Sequence, residues 1–395
     1  MRTSYRDVFL LACCQALLLA NGSALISMNG LIGFALAPTP VLATLGVTAY
    51  VVGSALATMP MSLWMARVGR RRGFMFGALV NIVGCAIGVV ALTFRSFALF
   101  LVATAVIGVY NAIGLQYRFA AAEVASEADK AKAISLVLAG GVAGGLVGPQ
   151  AVNVSRDFFA IPFQGSFVVL ALIALVALFV QSRTHVPPPD ARTGQSGGRP
   201  LSEIARQPVF IVAVLAGGLG YGLMNLLMTA SPIAMALCGF PFAAAAVAIQ
   251  WHAVSMYAPG FFTGTLIQRF GTLAVILFGL VLMAACALVA LGGQTVAHFV
   301  IALALLGVGW NFMYTGGTTL LTESYRPEEK ARTQGANDFL VFTIMGVSSV
   351  TSGALVSTTG WTAMNRSMLP LLAVVATATL WLAWRRRRRL RRASA

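Results

Sequence analysis

Carboxylates are scarce in this chain. Its 395 residues include 11 Asp and Glu against 27 Lys and Arg, with three His. Charged residues make up only 10% of the sequence and apolar residues 58%, and the mean hydropathy is +0.85. An ordinary soluble domain carries about 25% charge, and this shortage excludes a water-facing exterior. Most of the surface must meet lipid. The five cysteines, Cys13, Cys14, Cys85, Cys238 and Cys286, are odd in number and lack metal-ligand spacing; they read as packing residues. No Gly-rich nucleotide loop, nucleophile elbow or metal cluster appears. Catalytic residues, cofactors and metals are therefore not expected, and the chain does not read as an enzyme.

Long hydrophobic runs are present instead. A spanning helix needs roughly 20 mainly apolar residues, and twelve such segments can be placed. In the first half they cover about residues 8–34, 40–65, 74–94, 97–120, 133–154 and 163–181. In the second half they cover about 209–231, 241–267, 272–292, 296–322, 335–358 and 367–384. Continuous apolar runs favour helices over the ten-residue alternation of a membrane barrel.

The cations test this map. With twelve spans, only Arg95, Arg156 and Arg366 fall on one side, and the other 24 of the 27 fall on or toward the opposite side, Arg118 just inside the end of its span. The positive-inside rule then places both termini in the cytoplasm of a bacterial inner membrane. The net charge of +16 is thus a topological signal, and nucleic acid is not an expected partner. The basic tail 385–395 directly follows an apolar run and reads as an anchor against anionic headgroups. Arg2 and Arg6 before the first run resemble a signal peptide, but that run is about 27 residues, longer than a signal core of about 7–15. It reads as a retained helix.

The chain also repeats. Tyr110-Asn111, Glu123, Lys130, Ala131 and Lys132 recur 200 residues later as Trp310-Asn311, Glu323, Lys330, Ala331 and Arg332. Arg67-Val68-Gly69 recurs at an offset of 202 as Arg269-Phe270-Gly271. A Pro- and Gly-Ser-rich stretch, 182–208, separates the copies. The expected organisation is a bundle of six helices over 1–181, the linker, a second bundle over 209–384, and the tail.

The loop SLWMARVGRRRG resembles the G-x-x-x-D-R-x-G-R-R motif of the major facilitator superfamily, through Arg67, Gly69, Arg70 and Arg71. Ser62 replaces its first Gly and Ala66 its Asp; in the second copy Gly264 keeps the Gly and Gln268 replaces the Asp. The resemblance implies an all-α membrane protein of twelve transmembrane helices in two pseudo-symmetric six-helix bundles. It also implies a cytoplasmic latch, which the missing Asp puts in doubt. GGLVGP at Gly144 to Pro149 is similar to a motif of drug/proton antiporters, without the Gly pair that should follow. The blocks LACCQALL, GRRRGFMFGA, YRFAAAE, AISLVLAGGV, MNLLMTASPIAMA and IQWHAVSMYAPGFFTGTLIQRFG are similar to a bacterial branch that includes riboflavin uptake carriers.

A polar group in hydrocarbon costs several kcal/mol unless it meets a partner or water. Polar residues within spans are therefore expected to face a cavity between the bundles. The candidates are Gln15, Asn29, Tyr110, Asn111, Arg118, Tyr221, Asn225, Gln250, Trp251, His252, Trp310, Asn311 and Tyr314. Amides and flat rings suit a planar heteroaromatic with imide-like edges; the same residues also serve as glue between helices or as interface anchors. His252 reads as a proton carrier, a donor to cargo, or a histidine fixing a neighbouring helix. Asp338 is the one carboxylate inside a span and the candidate for proton coupling, with Arg118 as its partner. Arg67, Gly69, Arg70, Arg71, Arg269, Gly271, Glu123 and Glu323 are expected at the cytoplasmic gate, with Glu123/Lys130 and Glu323/Lys330 tying loops.

The leading expectation is a monomeric secondary carrier for a small organic solute, riboflavin-like in uptake, with lipid and protons as its other partners. Proton-coupled efflux of drugs or metabolites is the alternative, and a non-transporting receptor of the same fold is a third reading.

Overall fold

The computed structural model describes residues 3–39, 42, 45–187 and 198–393. The middle of the expected linker lies outside them. Every regular element among the described residues is helical. The first half contains α1 (Tyr5–Leu36), α2 (Leu45–Val68), α3 (Arg70–Thr93), α4 (Phe97–Gly114) and α5 (Tyr117–Val124). It continues with α6 (Lys130–Ala139), α7 (Gly141–Ser155) and α8 (Gln164–Ser182). A short α9 (Leu201–Ala205) ends the linker. The second half contains α10 (Pro208–Val214), α11 (Gly220–Leu237), α12 (Phe242–Tyr257), α13 (Gly260–Phe270), α14 (Thr272–Gly292), α15 (Val296–Leu321), α16 (Lys330–Thr358) and α17 (Gly360–Ala393).

Among the described residues, ten helices are long and apolar enough to cross a membrane. Helix α4 joins α5 for one of these spans, and α10 joins α11 through a π turn at Leu215–Leu219 for another. The remaining two expected spans are the broken pair α12–α13 and the more polar α16, which bring the count to twelve. The observed ends lie a few residues beyond several expected ones, because helices continue past the hydrocarbon into charged residues such as Arg70 and Arg386.

Small residues let the helices approach. A Cβ at Gly53 would sit 2.1 Å from the Ala105 carbonyl oxygen, and one at Gly108 2.2 Å from that of Tyr50. These contacts seat α2 on α4. The Gly144 to Pro149 run does the same for α7 on α1: a Gly144 Cβ would meet the Ala16 oxygen at 2.1 Å, and a Gly148 Cβ the Ala20 oxygen at 2.3 Å. Packing against lipid explains the outward residues, since Phe9, Leu56, Val83, Phe179, Phe278 and Leu288 are all exposed.

The helices group into two compact units, and these differ from a division at the linker. One unit holds residues 1–127, 136–198 and 326–342; the other holds 128–135, 199–325 and 343–395. Within the first, α3 packs on α4 and α8; within the second, α14 packs in the same way on α15 and α17. The short segments are exchanged between the repeats, so that the first turns of α16 pack against α2 and those of α6 against α13. Ser62 donates to the Ala331 carbonyl at 2.7 Å. A Cβ at Gly264 would come within 2.4 Å of the Lys132 Cα, and the Gly264 amide donates to Ser135 at 2.9 Å.

The repeated loop motif has one backbone shape in both copies. Gly69 adopts φ 92°, ψ 153° and Gly271 φ 87°, ψ 152°, a region essentially restricted to glycine. A Cβ on Gly271 would meet no atom within 4 Å, so substitution there isolates backbone strain from packing. Gly271→Ala is expected to destabilise the protein by about 1–3 kcal/mol, read as a lowered midpoint of thermal unfolding in detergent.

Candidate functional site

The sequence stretch that ends α12 places Tyr257, Ala258 and Pro259 in succession. Proline has no N–H to give the preceding turn, so the helix stops and α13 begins at Gly260. Beside the break, Asn311 of α15 donates to the Met256 carbonyl at 2.8 Å. The Thr263 hydroxyl donates in turn to the Asn311 side-chain oxygen at 2.7 Å. Asn311 therefore staples the break, with both amide atoms engaged and the side chain fully buried.

One turn from that staple lies a cluster of four aromatic rings. Trp310 and Tyr314, four residues apart on α15, stack with centroids 4.9 Å apart and planes 16° apart. Tyr221 meets both edge-on at 5.4 Å, and Tyr257 meets Trp310 edge-on at 5.8 Å. The π turn before α11 inserts one residue, rotating the faces of α11 by about 100°, and Tyr221 sits just beyond it. Trp310, Tyr314 and Tyr257 are buried, while Tyr221 is half-buried and forms the open edge. The Trp310 indole N–H is buried without a hydrogen-bond partner among the described residues.

His252 of α12 also meets α15. Its Nδ1 is 2.8 Å from the Leu303 carbonyl, which can only accept, so Nδ1 carries the proton. Nε2 is left buried with no partner among the described residues. Gln250 and Trp251, its neighbours, are exposed and turned away from α15. Asn225 of α11 is half-buried and donates to Ser348 at 3.1 Å and to the Met345 carbonyl at 3.3 Å, both on α16.

The other unit holds the charged candidates. Arg118 and Asp338 form an ion pair with side chains only 1% and 2% exposed. Asn337 donates to the paired Asp338 oxygen at 3.0 Å, and Arg118 lies over the Phe119 ring at 4.6 Å. A second network centres on Arg70. It bonds Glu123 at 2.9 Å, Gln334 at 2.5 Å and also Gln116. Lys330 reaches the same Glu123 oxygen at 3.1 Å.

The expected loop pairs are thereby rearranged. Glu123 takes Lys330 of the other repeat, and Glu323 takes Arg386 of α17 at 2.6 Å. Glu123 and Gln334 bind Arg70 although the motif Asp is absent, and Gln268, in the Asp position of the second copy, donates to the Ala128 carbonyl at 2.5 Å. Arg67, Arg71 and Arg269 are exposed.

The remaining candidates belong to the unit that holds the charged residues. Gln15 and Asn29 are buried on α1, and both amide atoms of Asn29 lack a partner among the described residues. Asn111 is half-buried and donates to Ser54 at 3.2 Å, next to the α2–α4 contact. Tyr110 is buried two turns before Tyr117, whose hydroxyl accepts from Gln181 at 2.7 Å. Sequence reasoning missed Tyr257, Gln116, Gln334 and Asn337. The 200-residue offset could have flagged Gln334, since it falls beside the repeated cation cluster at Lys330 and Arg332.

Ten helices long and apolar enough to span a membrane among the described residues, a duplicated Gly turn and buried polar side chains inside each unit describe a multi-pass membrane protein. The Major Facilitator Superfamily model matches residues 11–258 and 251–395, and the chain belongs to that family. A riboflavin transporter of Brucella anthropi, RfnT, is 41% identical over 375 residues, which cover 94% of each chain. The MFS-type transporter YdeG of Bacillus subtilis is 30% identical over 379 residues, 91% of this chain and 88% of its own. Among solved structures, the E. coli fucose:proton symporter FucP superposes with TM-score 0.77 at 18% identity, covering 96% of this chain and 99% of its own. The human organic anion transporter MFSD10 gives TM-score 0.75 at 14% identity, with 95% and 99% covered. At these identities the two structures establish the fold alone.

The staple and the glue differ in what their loss exposes. Asn311→Ala leaves the buried Met256 carbonyl without its side-chain donor, at a cost of about 1–3 kcal/mol, while the Thr263 hydroxyl keeps the Pro259 carbonyl at 2.8 Å as its acceptor. Asn225→Ala removes longer bonds from a half-buried site. Thermal unfolding should therefore show a clearly larger loss for Asn311→Ala than for Asn225→Ala.

Proposed function

We propose that this transporter is a secondary active carrier that takes up a small planar heteroaromatic, riboflavin or a close analogue, by alternating access. The observation that carries the reading is the four-ring cluster of Tyr221, Tyr257, Trp310 and Tyr314 with an unpaired indole N–H at its centre. Stacked and edge-on rings hold a flat π-system. The Trp310 N–H would donate to a ring carbonyl, and His252 Nε2 would accept from an imide N–H. The name of the Brucella anthropi relative points to the same cargo.

Energy would come from a proton gradient through Asp338. A carboxylate buried against Arg118 exchanges its ion pair for a proton at a cost set by that partner, which links protonation to opening of the pair. The charge asymmetry supports a plasma-membrane protein with both termini cytoplasmic. The efflux reading rests on the Gly144 to Pro149 run, and the close approach of α7 to α1 accounts for those small residues without it.

Binding and flux test the proposal separately. Riboflavin fluorescence should be quenched on adding purified protein, and Trp310→Ala should weaken that binding about tenfold, an aromatic contact being worth about 0.5–1.5 kcal/mol. In proteoliposomes, uptake should follow an inward proton gradient, and Asp338→Asn should abolish accumulation while flavin quenching persists. Absence of quenching with the unmodified protein, or expulsion of unrelated dyes in place of flavin uptake, would overturn the proposal.

A further inference from the structure

Helix α17 runs unbroken from Gly360 to Ala393. Its 34 residues span about 51 Å at 1.5 Å per residue, well beyond ~30 Å of hydrocarbon. Its basic end therefore stands outside the apolar layer as a helix, and a helix presents defined faces.

Two faces differ sharply. Thr379, Leu382 and Arg386 form an inner stripe: the first two are buried, and Arg386 is bound to Glu323 at 2.6 Å, just past the end of α15. That ion pair fixes the rotation of the helix. Trp381, Trp384, Arg385 and Arg388 occupy positions i, i+3, i+4 and i+7, which share a different stripe. Both indoles face outward, Trp381 being 47% and Trp384 50% exposed. The Arg385 guanidinium lies over the Trp381 ring at 5.5 Å, and that of Arg388 over the Trp384 ring at 4.0 Å.

Exposed indoles at a helix end mark the headgroup level of a bilayer. A guanidinium held over an indole is positioned and still has N–H groups free to grip a phosphate by two bonds. The Arg386–Glu323 pair holds the opposite face of the helix against the protein, so the stripe with the two exposed indoles faces outward. We propose that the Trp381–Trp384–Arg385–Arg388 stripe is a binding site for the phosphate headgroup of an anionic phospholipid. The positive-inside expectation assigns it to the cytoplasmic leaflet, where such lipids and basic helix ends attract one another. Through Arg386 and Glu323 the bound lipid would adjoin α15, the helix that carries Trp310 and Tyr314.

Native mass spectrometry of the full chain tests this, with phosphatidylglycerol and phosphatidylcholine offered in equal amounts in detergent. The unmodified protein should retain phosphatidylglycerol in preference. R388A should reduce that preference about fivefold, the effect of one guanidinium near headgroups. R72A removes the same charge from an exposed side chain of α3 and should leave the preference intact. Inorganic phosphate in excess should not displace the lipid. Equal retention of the two lipids by the unmodified protein, or an equal loss in R72A and R388A, would overturn the proposal, the second by showing diffuse attraction in place of a site.

Discussion

In hydrocarbon, a polar side chain has no water to fall back on, and each one must find its partner within the protein. This requirement organises the molecule. With 11 carboxylates for 27 Lys and Arg, the buried charges are few and their pairing is tightly constrained. Arg118 meets Asp338, Arg70 shares Glu123 with Lys330, and amide side chains from Gln116, Gln334 and Asn337 complete the bonds. Each such group would otherwise cost several kcal/mol, so the networks decide which helix ends pack together.

Duplication supplies the partners. The two copies carry equivalent polar positions, and the chain uses them crosswise: the first turns of α16 bring Ala331, Gln334 and Asp338 to the first repeat, and the segment 128–135 brings Ala128 and Ser135 to the second. Close backbone approach makes the exchange feasible. Gly264 admits the Lys132 backbone, and Gly335 sits where a Cβ would be 2.8 Å from the Met59 sulfur. Lipid-facing residues take no part, which leaves the exterior free to be uniformly apolar.

Much of this architecture is legible in the chain. Twelve apolar runs, the one-sided cations and the 200-residue offset are direct consequences of spanning a bilayer twice over with the same unit, and the paired Gly69 and Gly271 turns are fixed by backbone sterics. The exchange is not legible, because an offset identifies equivalent residues without saying which copy each one touches. Glu123 could equally have met Lys130; space, not sequence, selects Lys330. Asn225 and Asn311 pose the same difficulty. An amide inside a span looks the same whether it faces cargo or mends a helix break, and only the packing of α15 beside the break at Pro259 makes Asn311 the mender. Tyr257 is hidden for a similar reason: it falls at the end of a broken helix, where periodicity no longer predicts direction.

The central claim is that a buried charge pair formed across the repeats, not the identity of either residue, holds these helices together. Exchanging the pair tests it most directly, through the folded fraction of Arg118→Asp, Asp338→Arg and the combined variant measured by size-exclusion chromatography after extraction from membranes. The account predicts that each single change leaves two like charges buried and collapses the folded peak, while the combination restores most of it. Single variants that fold normally, or a combined variant as depleted as either single one, would contradict it.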